Sequence, residues 1–234
     1  MGFLVTAWKA FCFALGAIVL ALALTQLWFF AHIVYWSQFE PSTTAFMGSR
    51  LETLRARNPK AKLYRQSVPY AQISAHLKRA VIAAEDAKFL DHEGFDWEAI
   101  QKAMEKNERS GRIVAGASTI TQQLAKNLFL SGSRSWLRKA QEAVITWMLE
   151  RVMSKRRILE LYLNYVEWGE GIFGAEAAAR YHFGVSAAAL TFEQAAWLAV
   201  ILPAPRRYEA GRMTPYIAGR IANLSSHMDK AQIP

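Results

Sequence analysis

Apolar residues recur with a helical spacing along most of this 234-residue chain. From Ala71 onward they return every three or four positions, first at Ile73, Leu77 and Val81 and then in several later runs. This spacing places side chains on one face of an α-helix. No segment alternates polar and apolar residues convincingly, as a half-buried strand would. The pattern predicts an almost entirely helical, all-α domain.

A predominantly apolar run fills residues 10–31, and no acid, Lys or Arg follows Lys9 until Glu40. At about 1.5 Å per residue, a helix of this length can cross a hydrocarbon core about 30 Å thick. We predict a tail over residues 1–9 and a single transmembrane anchor over residues 10–36. Lys9 favours a cytoplasmic amino terminus and an exported domain.

A cleaved signal peptide is the alternative, because Ala21-Leu22-Ala23 has the small-x-small form of a cleavage site. The apolar run continues beyond it through Phe30, which favours the anchor. Residues 37–63 lack sustained periodicity and contain prolines, so we predict a connector there. The globular domain is predicted over residues 64–234.

The chain carries a formal charge of +9, from 28 Lys and Arg against 19 Asp and Glu. Such a surplus suits nucleic acid, an anionic membrane surface or a phosphorylated substrate, and does not choose among them. The single cysteine, Cys12, lies in the apolar run. Disulfides, redox pairs and cysteine metal sites are therefore excluded from the domain.

Glu85 is the first candidate for chemistry, because it borders an apolar helix face one turn from Phe89. Partial burial raises a carboxyl pKa toward values that suit a general base. The alternative is a surface carboxylate paired with Lys88. Asp86 and His92 cluster polar groups at the same helix end.

A second polar group lies at residues 115–127, where Ser118 and Thr119 can cap the helix that follows. Gln122, Lys126 and Asn127 fall on overlapping faces of that helix and can bind sugar hydroxyls and a phosphate. An ordinary polar helix face would have the same composition.

A basic group follows, with Glu142 one turn beyond Arg138. Its members are Arg134, Arg138, Lys139, Arg151, Lys155, Arg156 and Arg157. The simplest interpretation of Arg138 and Glu142 is an exposed ion pair on a helix surface, which contributes only about 0.3–0.5 kcal/mol to stability. The functional interpretation is a cationic clamp for a diphosphate, with Glu142 orienting the cations or holding a divalent metal.

The glycines at 169, 171 and 174 spell GxGxxG, the pattern of dinucleotide-binding loops. A helical pattern precedes them, and no strand–helix–strand unit surrounds them. They are better explained as a tight turn before an alanine-rich helix.

Taken in order, these segments resemble the motifs of the peptidoglycan glycosyltransferases, and in particular of the monofunctional biosynthetic transglycosylases. Residues 85–94 match EDxxFxxHxG, residues 116–127 match GxSTxxQQxxKN, residues 138–142 match RKxxE and residues 155–164 match KxxILExYLN. The segment from Gly171 is similar to a fifth motif. The SxxK, SDN and KTG motifs of transpeptidases are not found.

The resemblance implies a lysozyme-like helical fold with a small membrane-associated lobe. It implies that Glu85 is the base that deprotonates the 4-hydroxyl of the acceptor, and that Glu142 is a second carboxylate beside the donor diphosphate. The remaining implied substrate-binding residues are Asp86, Phe89, His92, Ser118, Thr119, Gln122, Gln123, Lys126, Asn127, Arg138, Lys139 and Lys155.

The implied reaction joins a glycan on a polyprenyl diphosphate to lipid II with inversion, giving β-1,4 linkages. It requires no organic cofactor and allows a divalent cation, Mg²⁺ or Mn²⁺, at Glu142. The implied location is the cell inner (plasma) membrane, with the domain in the periplasm. Cell-wall synthases or division proteins are further partners that it allows, and nucleic acid is not expected because no reading module accompanies the basic residues.

Two other functions fit parts of the sequence. A lysozyme-like lytic hydrolase would also place a glutamate at a helix end, but it does not explain the cations around Glu142. A non-catalytic membrane-tethered scaffold would explain the anchor and the charge, but it does not need Glu85.

Overall fold

The computed structural model describes residues 2–130, 135–208 and 212–234, so Arg134 of the predicted basic group lies outside the described residues. The chain divides into two compact units, Met1–Phe39 and Glu40–Pro234.

The amino-terminal unit is formed by one helix, α1, over Gly2–Trp36. It contains the predicted anchor and begins several residues earlier. Its apolar part, Val5–Trp36, comprises 32 residues, and the most apolar window has no buried residue. At about 1.5 Å per residue this part is about 48 Å long, more than a hydrocarbon core about 30 Å thick requires. By length and composition α1 can cross a membrane.

The second unit is helical, as the pattern predicted. In the described residues its helices are α2 (Ala45–Arg57), α3 (Ala75–Glu85), α4 (Trp97–Ser110), α5 (Ile120–Phe129), α6 (Trp136–Val152), α7 (Lys155–Tyr165), α8 (Ala175–Phe183), α9 (Phe192–Ile201) and α10 (Pro215–Met228).

Side-chain caps define where most of these helices begin. Thr119 and Thr191 form capping boxes with Gln122 and Gln194, and Thr214 caps α10 ahead of Pro215. Each such cap satisfies a backbone N–H that has no partner within its helix, and contributes about 1 kcal/mol. The cap at Thr119 confirms the one expected from the sequence.

Helix α9 lies at the centre of the unit and packs against α3 and α10, while α5 packs against α6 and α7. Residues 195–201 of α9 are buried on every side, which its almost unbroken apolar sequence permits. Leu77 and Val81 of α3 are fully buried. Each such side chain stabilises the fold by about 1.5–3 kcal/mol.

A small sheet completes the unit, with strands β1 (Tyr64–Arg65), β2 (Glu167–Gly169) and β3 (Ile172–Phe173) in the order β1-β3-β2. Strands β2 and β3 form a hairpin, and β1 pairs with β3 in parallel. Gly171 adopts a φ of +73° in the turn. The expected turn before α8 is thus present at Gly171, whereas Gly169 ends β2 and Gly174 is the N-cap of α8, and the three glycines do not form a phosphate-binding loop.

Helix α2 corrects the interpretation of residues 37–63 as an irregular connector. Thr44 caps this helix, whose only fully packed residue is Met47. Few apolar side chains mark its buried side, so the sequence shows no clear period there. Its packing against α5 makes it part of the second unit.

Candidate active site

Glu85 is the last residue of α3 and is half-buried. Its carboxylate accepts a hydrogen bond of 2.8 Å from Nε2 of Gln123 on α5. Burial is the main influence and raises the pKa of Glu85 above its ordinary 4.5, while Gln123 acts in the opposite direction. Lys88 instead pairs with Glu98, and both side chains are about half exposed. The alternative of a Glu85–Lys88 surface pair is therefore wrong.

Asp86 is the C-cap residue of α3, and it also accepts a hydrogen bond from the first residue of α5. Its Oδ2 accepts from the backbone N–H of Ile120 at 3.0 Å, and its Oδ1 lies 2.9 Å from Nε2 of His92. The Gly94 N–H donates to Nδ1 of the same ring at 3.1 Å, so the ring proton is on Nε2 and is donated to Asp86. This network holds the residue next to Glu85 in one position.

Phe89 and Lys155 lie behind this loop. Phe89 is fully buried, and Nζ of Lys155 lies 4.7 Å from the centre of its ring. The same ammonium group donates to the His92 carbonyl at 2.6 Å and to Glu150 at 2.8 Å. Lys155 thus joins α7 to the loop that follows Glu85, and it is not among the residues that line the cavity described below.

Helix α5 divides its predicted site residues between two roles. Thr119 and Gln122 are buried and bond to each other in the capping box, and the Thr119 hydroxyl also donates to the Gly94 carbonyl at 2.7 Å. Ser118 is exposed beside them. The next turn faces outward: Gln123, Lys126 and Asn127 line a cavity.

This cavity has a volume of about 860 Å³. Its described lining is formed by Phe46, Arg50, Gln123, Lys126, Asn127, Arg138, Val166, Glu167 and residues 202–207. Five of these side chains are cationic, and one, Glu167, is anionic. The wall therefore favours an anionic ligand.

Glu142 is buried and accepts from Arg138 at 2.7 Å and from Lys139. Because only 4% of its side chain is exposed, the pair is not the plain surface pair that the spacing alone allows. The Nε of Arg138 is buried and has no hydrogen-bond partner among the described residues.

Lys126 experiences the charges of both Glu142 and Glu85. Burial is the main influence and lowers the pKa of this lysine, while Glu142 opposes the change. Among the predicted residues, the structure thus brings Glu85, Gln123, Lys126, Arg138 and Glu142 into one connected region.

The divalent cation has little support from the donor atoms. Both carboxylate oxygens of Glu142 already accept from cations. No group of three or more His, Cys, Asp or Glu side chains able to hold a metal occurs in the described parts of the chain. These residues do not fit a resident metal ion.

Sequence reasoning missed part of the cavity wall. Arg50 of α2 makes a paired contact with Glu167, at 2.9 Å and 3.0 Å. Arg206 lies 3.9 Å from the same carboxylate. Arg50 falls in the predicted connector and is separated from Glu167 by 117 positions. No local pattern marks such a pair.

The sequence is also similar to known proteins. The model of the transglycosylase family matches residues 50–229. A biosynthetic peptidoglycan transglycosylase of Nitrosospira multiformis is 57% identical, over 97% of both chains. One of the same name from Azoarcus sp. is 56% identical over 98% of this chain and 99% of its own, and one from Nitrosomonas eutropha is 53% identical over 93% and 89%.

Proposed function

This chain belongs to the transglycosylase family, and from that premise we propose that Glu85 is the base with which it extends glycan strands. The chain is a glycosyltransferase of peptidoglycan synthesis, as its family and its relatives' names establish. The substrates in this proposal are lipid II as acceptor and a glycan on a polyprenyl diphosphate as donor.

The observation that carries the proposal is the half-buried Glu85 held by Gln123, whose own helix continues into a cationic cavity wall. A carboxyl with a raised pKa is a stronger base than an exposed one. Ionised Glu85 takes the proton from the acceptor 4-hydroxyl as its oxygen attacks the anomeric carbon of the donor. Attack opposite the leaving group inverts an α-linked donor to a β-1,4 product.

The leaving group is a diphosphate, so no acid is needed to protonate it. Its charge grows as the bond breaks, and Lys126 and Arg138 are positioned in the cavity wall to stabilise that charge. A guanidinium in the cavity wall suits this role, because it can donate to phosphate oxygens. A lytic glycosidase would instead require a protonated acid at the leaving oxygen.

Glu142 acts in this proposal by holding the two cations. A buried carboxylate between Arg138 and Lys139 fixes the direction in which their remaining donors point. No step of the proposed mechanism passes through a metal ion.

The buried residues around Glu85 act as its support. Asp86 and His92 fix the end of α3, Thr119 and Gln122 fix the start of α5, and Lys155 ties the loop to α7. We assign these residues, with Phe89, to positioning the base and not to contact with the glycan.

Helix α1 supplies the membrane anchor of this proposal. Both substrates carry polyprenyl tails that remain in the bilayer, so a tethered enzyme meets them at the membrane surface. In this proposal the catalytic unit lies on the periplasmic side, because Lys9 favours a cytoplasmic amino terminus.

The test is polymerisation of purified lipid II by the full chain in detergent, with products separated by size. We expect long glycan strands from the wild type and none from folded Glu85→Gln. Glu193→Gln, which changes an exposed carboxylate in the first turn of α9, should retain activity. Shortening of preformed glycan strands would instead support a lytic hydrolase, and activity in neither assay would favour a scaffold.

A further inference from the structure

Three side chains from three helices form a hydrogen-bonded row that ends at Glu85. The hydroxyl of Tyr162 on α7 donates to Oε1 of Gln123 at 2.9 Å. Nε2 of the same amide donates to Oε2 of Glu85 at 2.8 Å. Tyr162 is fully buried, and the apolar spacing of α7 alone would make it a core residue.

The direction of the first bond is determined by burial. The pKa of Tyr162 is raised well above 10, mainly by desolvation and also by the charge of Glu85, so the hydroxyl keeps its proton. Among the described residues, Oε1 of Gln123 is the hydrogen-bond partner of this hydroxyl. A buried O–H without an acceptor is strongly unfavourable. The hydroxyl must therefore donate to the carbonyl end of the amide.

A glutamine amide can present either its carbonyl oxygen or its NH₂ group to a neighbour. If the Gln123 amide turned over, its carbonyl would face the Glu85 carboxylate and its NH₂ would face the Tyr162 proton. Both contacts would be repulsive. The tyrosine thus opposes one of the two amide orientations, together with the Ser118 carbonyl, which accepts a longer bond of 3.5 Å from the same Nε2.

We propose that Tyr162 is a positioning residue that locks the Gln123 amide with its NH₂ group toward Glu85. This inference rests on the proposed role of Glu85 as the base. In this proposal Tyr162 contacts neither the glycan nor the base, and it acts on Glu85 through the orientation of the Gln123 amide.

The lock favours the ionised, proton-accepting form of Glu85, because a fixed N–H donor stabilises a carboxylate. It also prevents the Gln123 carbonyl from accepting a hydrogen bond from protonated Glu85, because that oxygen faces Tyr162. The other groups that act on Glu85 are Arg220 of α10 and Lys126, which lower its pKa, and Asp86, which raises it. None of them depends on the tyrosine hydroxyl.

The experiment is the pH profile of kcat/KM for lipid II polymerisation by the full chain. Tyr162→Phe removes the hydroxyl and should move the acidic limb to higher pH by about 0.5–1 unit, a three- to tenfold loss of rate at a fixed pH on that limb. Above the limb the rate should approach that of the wild type.

Tyr165→Phe is the matched control. Tyr165 is another buried tyrosine of α7, but its hydroxyl donates to the Pro41 carbonyl at 2.5 Å and also bonds to Glu40. Its loss should leave the acidic limb in place. An equal shift in this control would overturn the proposal, because general loosening of α7 would then explain both results.

A double variant tests the path through the amide. Gln123→Leu should itself move the limb to higher pH, and adding Tyr162→Phe to it should cause no further shift. An additional shift, or a Tyr162→Phe profile that matches the wild type, would overturn the proposal. If Tyr162→Phe does not fold, 4-fluorophenylalanine at this position fills the space of the hydroxyl without donating, and the same expectations apply.

Failure of the base assignment gives a different result. If Glu85→Gln keeps the wild-type rate, then Glu85 is not the base and both proposals fall. If Glu85→Gln is inactive and the Tyr162→Phe limb does not move, then the positioning role alone is refuted.

Discussion

Replacing Gly174 with alanine should destabilise the catalytic unit substantially. Gly174 precedes α8 with a φ of +89° and a ψ of 151°, a conformation that residues with a Cβ rarely adopt. An added Cβ would lie 2.8 Å from the Asn164 carbonyl oxygen and 3.3 Å from that of Gln66. Both neighbours are backbone atoms, so neither can move aside as a flexible side chain could.

Two effects add in Gly174→Ala. The backbone conformation costs about 1–3 kcal/mol for a residue other than glycine. Overpacking in a filled site costs about 1–3 kcal/mol more. The sum is about 2–6 kcal/mol, and domains of about 150–250 residues lose about 2–4 °C in Tm for each kcal/mol. We expect the Tm to fall by roughly 5–20 °C.

The assay is thermal unfolding of the full chain in detergent, monitored by circular dichroism. Gly219→Ala is the control, because Gly219 lies inside α10 with nothing within 4 Å of an added Cβ and without a positive φ. That change should stabilise the unit by about 0.5–1 kcal/mol. Even at the lower limit of ~2 °C per kcal/mol, a loss of about 2 kcal/mol lowers the Tm by about 4 °C. A Tm for Gly174→Ala within about 2 °C of the wild type would therefore refute the reasoning.

Three further predictions concern the site. The pKa of Glu85 is raised, so wild-type activity should fall on acidification at a pH above 4.5. The folded state also binds this proton more tightly than the unfolded chain does, so ionisation of Glu85 destabilises the wild type as the pH rises above 4.5. The Tm of Glu85→Gln relative to the wild type should therefore increase with pH there. Lys126→Ala should reduce kcat by about 100-fold or more with little loss of Tm. Lys155→Ala should instead lower the free energy of unfolding by about 1–3 kcal/mol, because Glu150 and the His92 carbonyl lose their hydrogen-bond donor. Steady-state kinetics and thermal unfolding of both variants test these expectations. Glu142→Gln should reduce polymerisation equally with Mg²⁺, Mn²⁺ or a chelator present; rescue of this variant by excess metal would contradict its assignment as the holder of Arg138 and Lys139.

The sequence determined the features that depend on neighbouring residues. The apolar run of α1 has the length of a membrane span, Thr119 caps α5, and Gly171 lies in a turn ahead of α8. Each depends on contacts a few positions apart, which a local pattern records directly. The ordered motifs likewise predicted the family, because each of several separate segments of the chain contributes residues to the site.

Only the tertiary structure decided which partners those residues meet. Gln123 bonds to Glu85 across 38 positions and to Tyr162 across 39, and Arg50 reaches Glu167 across 117. The two pairings of Gln123 depend on how α3, α5 and α7 pack and on the rotation of each helix about its axis, and the third depends on the position of α2 beside β2. Lys155 shows the consequence: its motif suggests a diphosphate ligand, but the packing of α7 directs its ammonium group to Glu150 and the His92 carbonyl. A helical period fixes the face on which a side chain lies, but the partner depends on the helix that packs there.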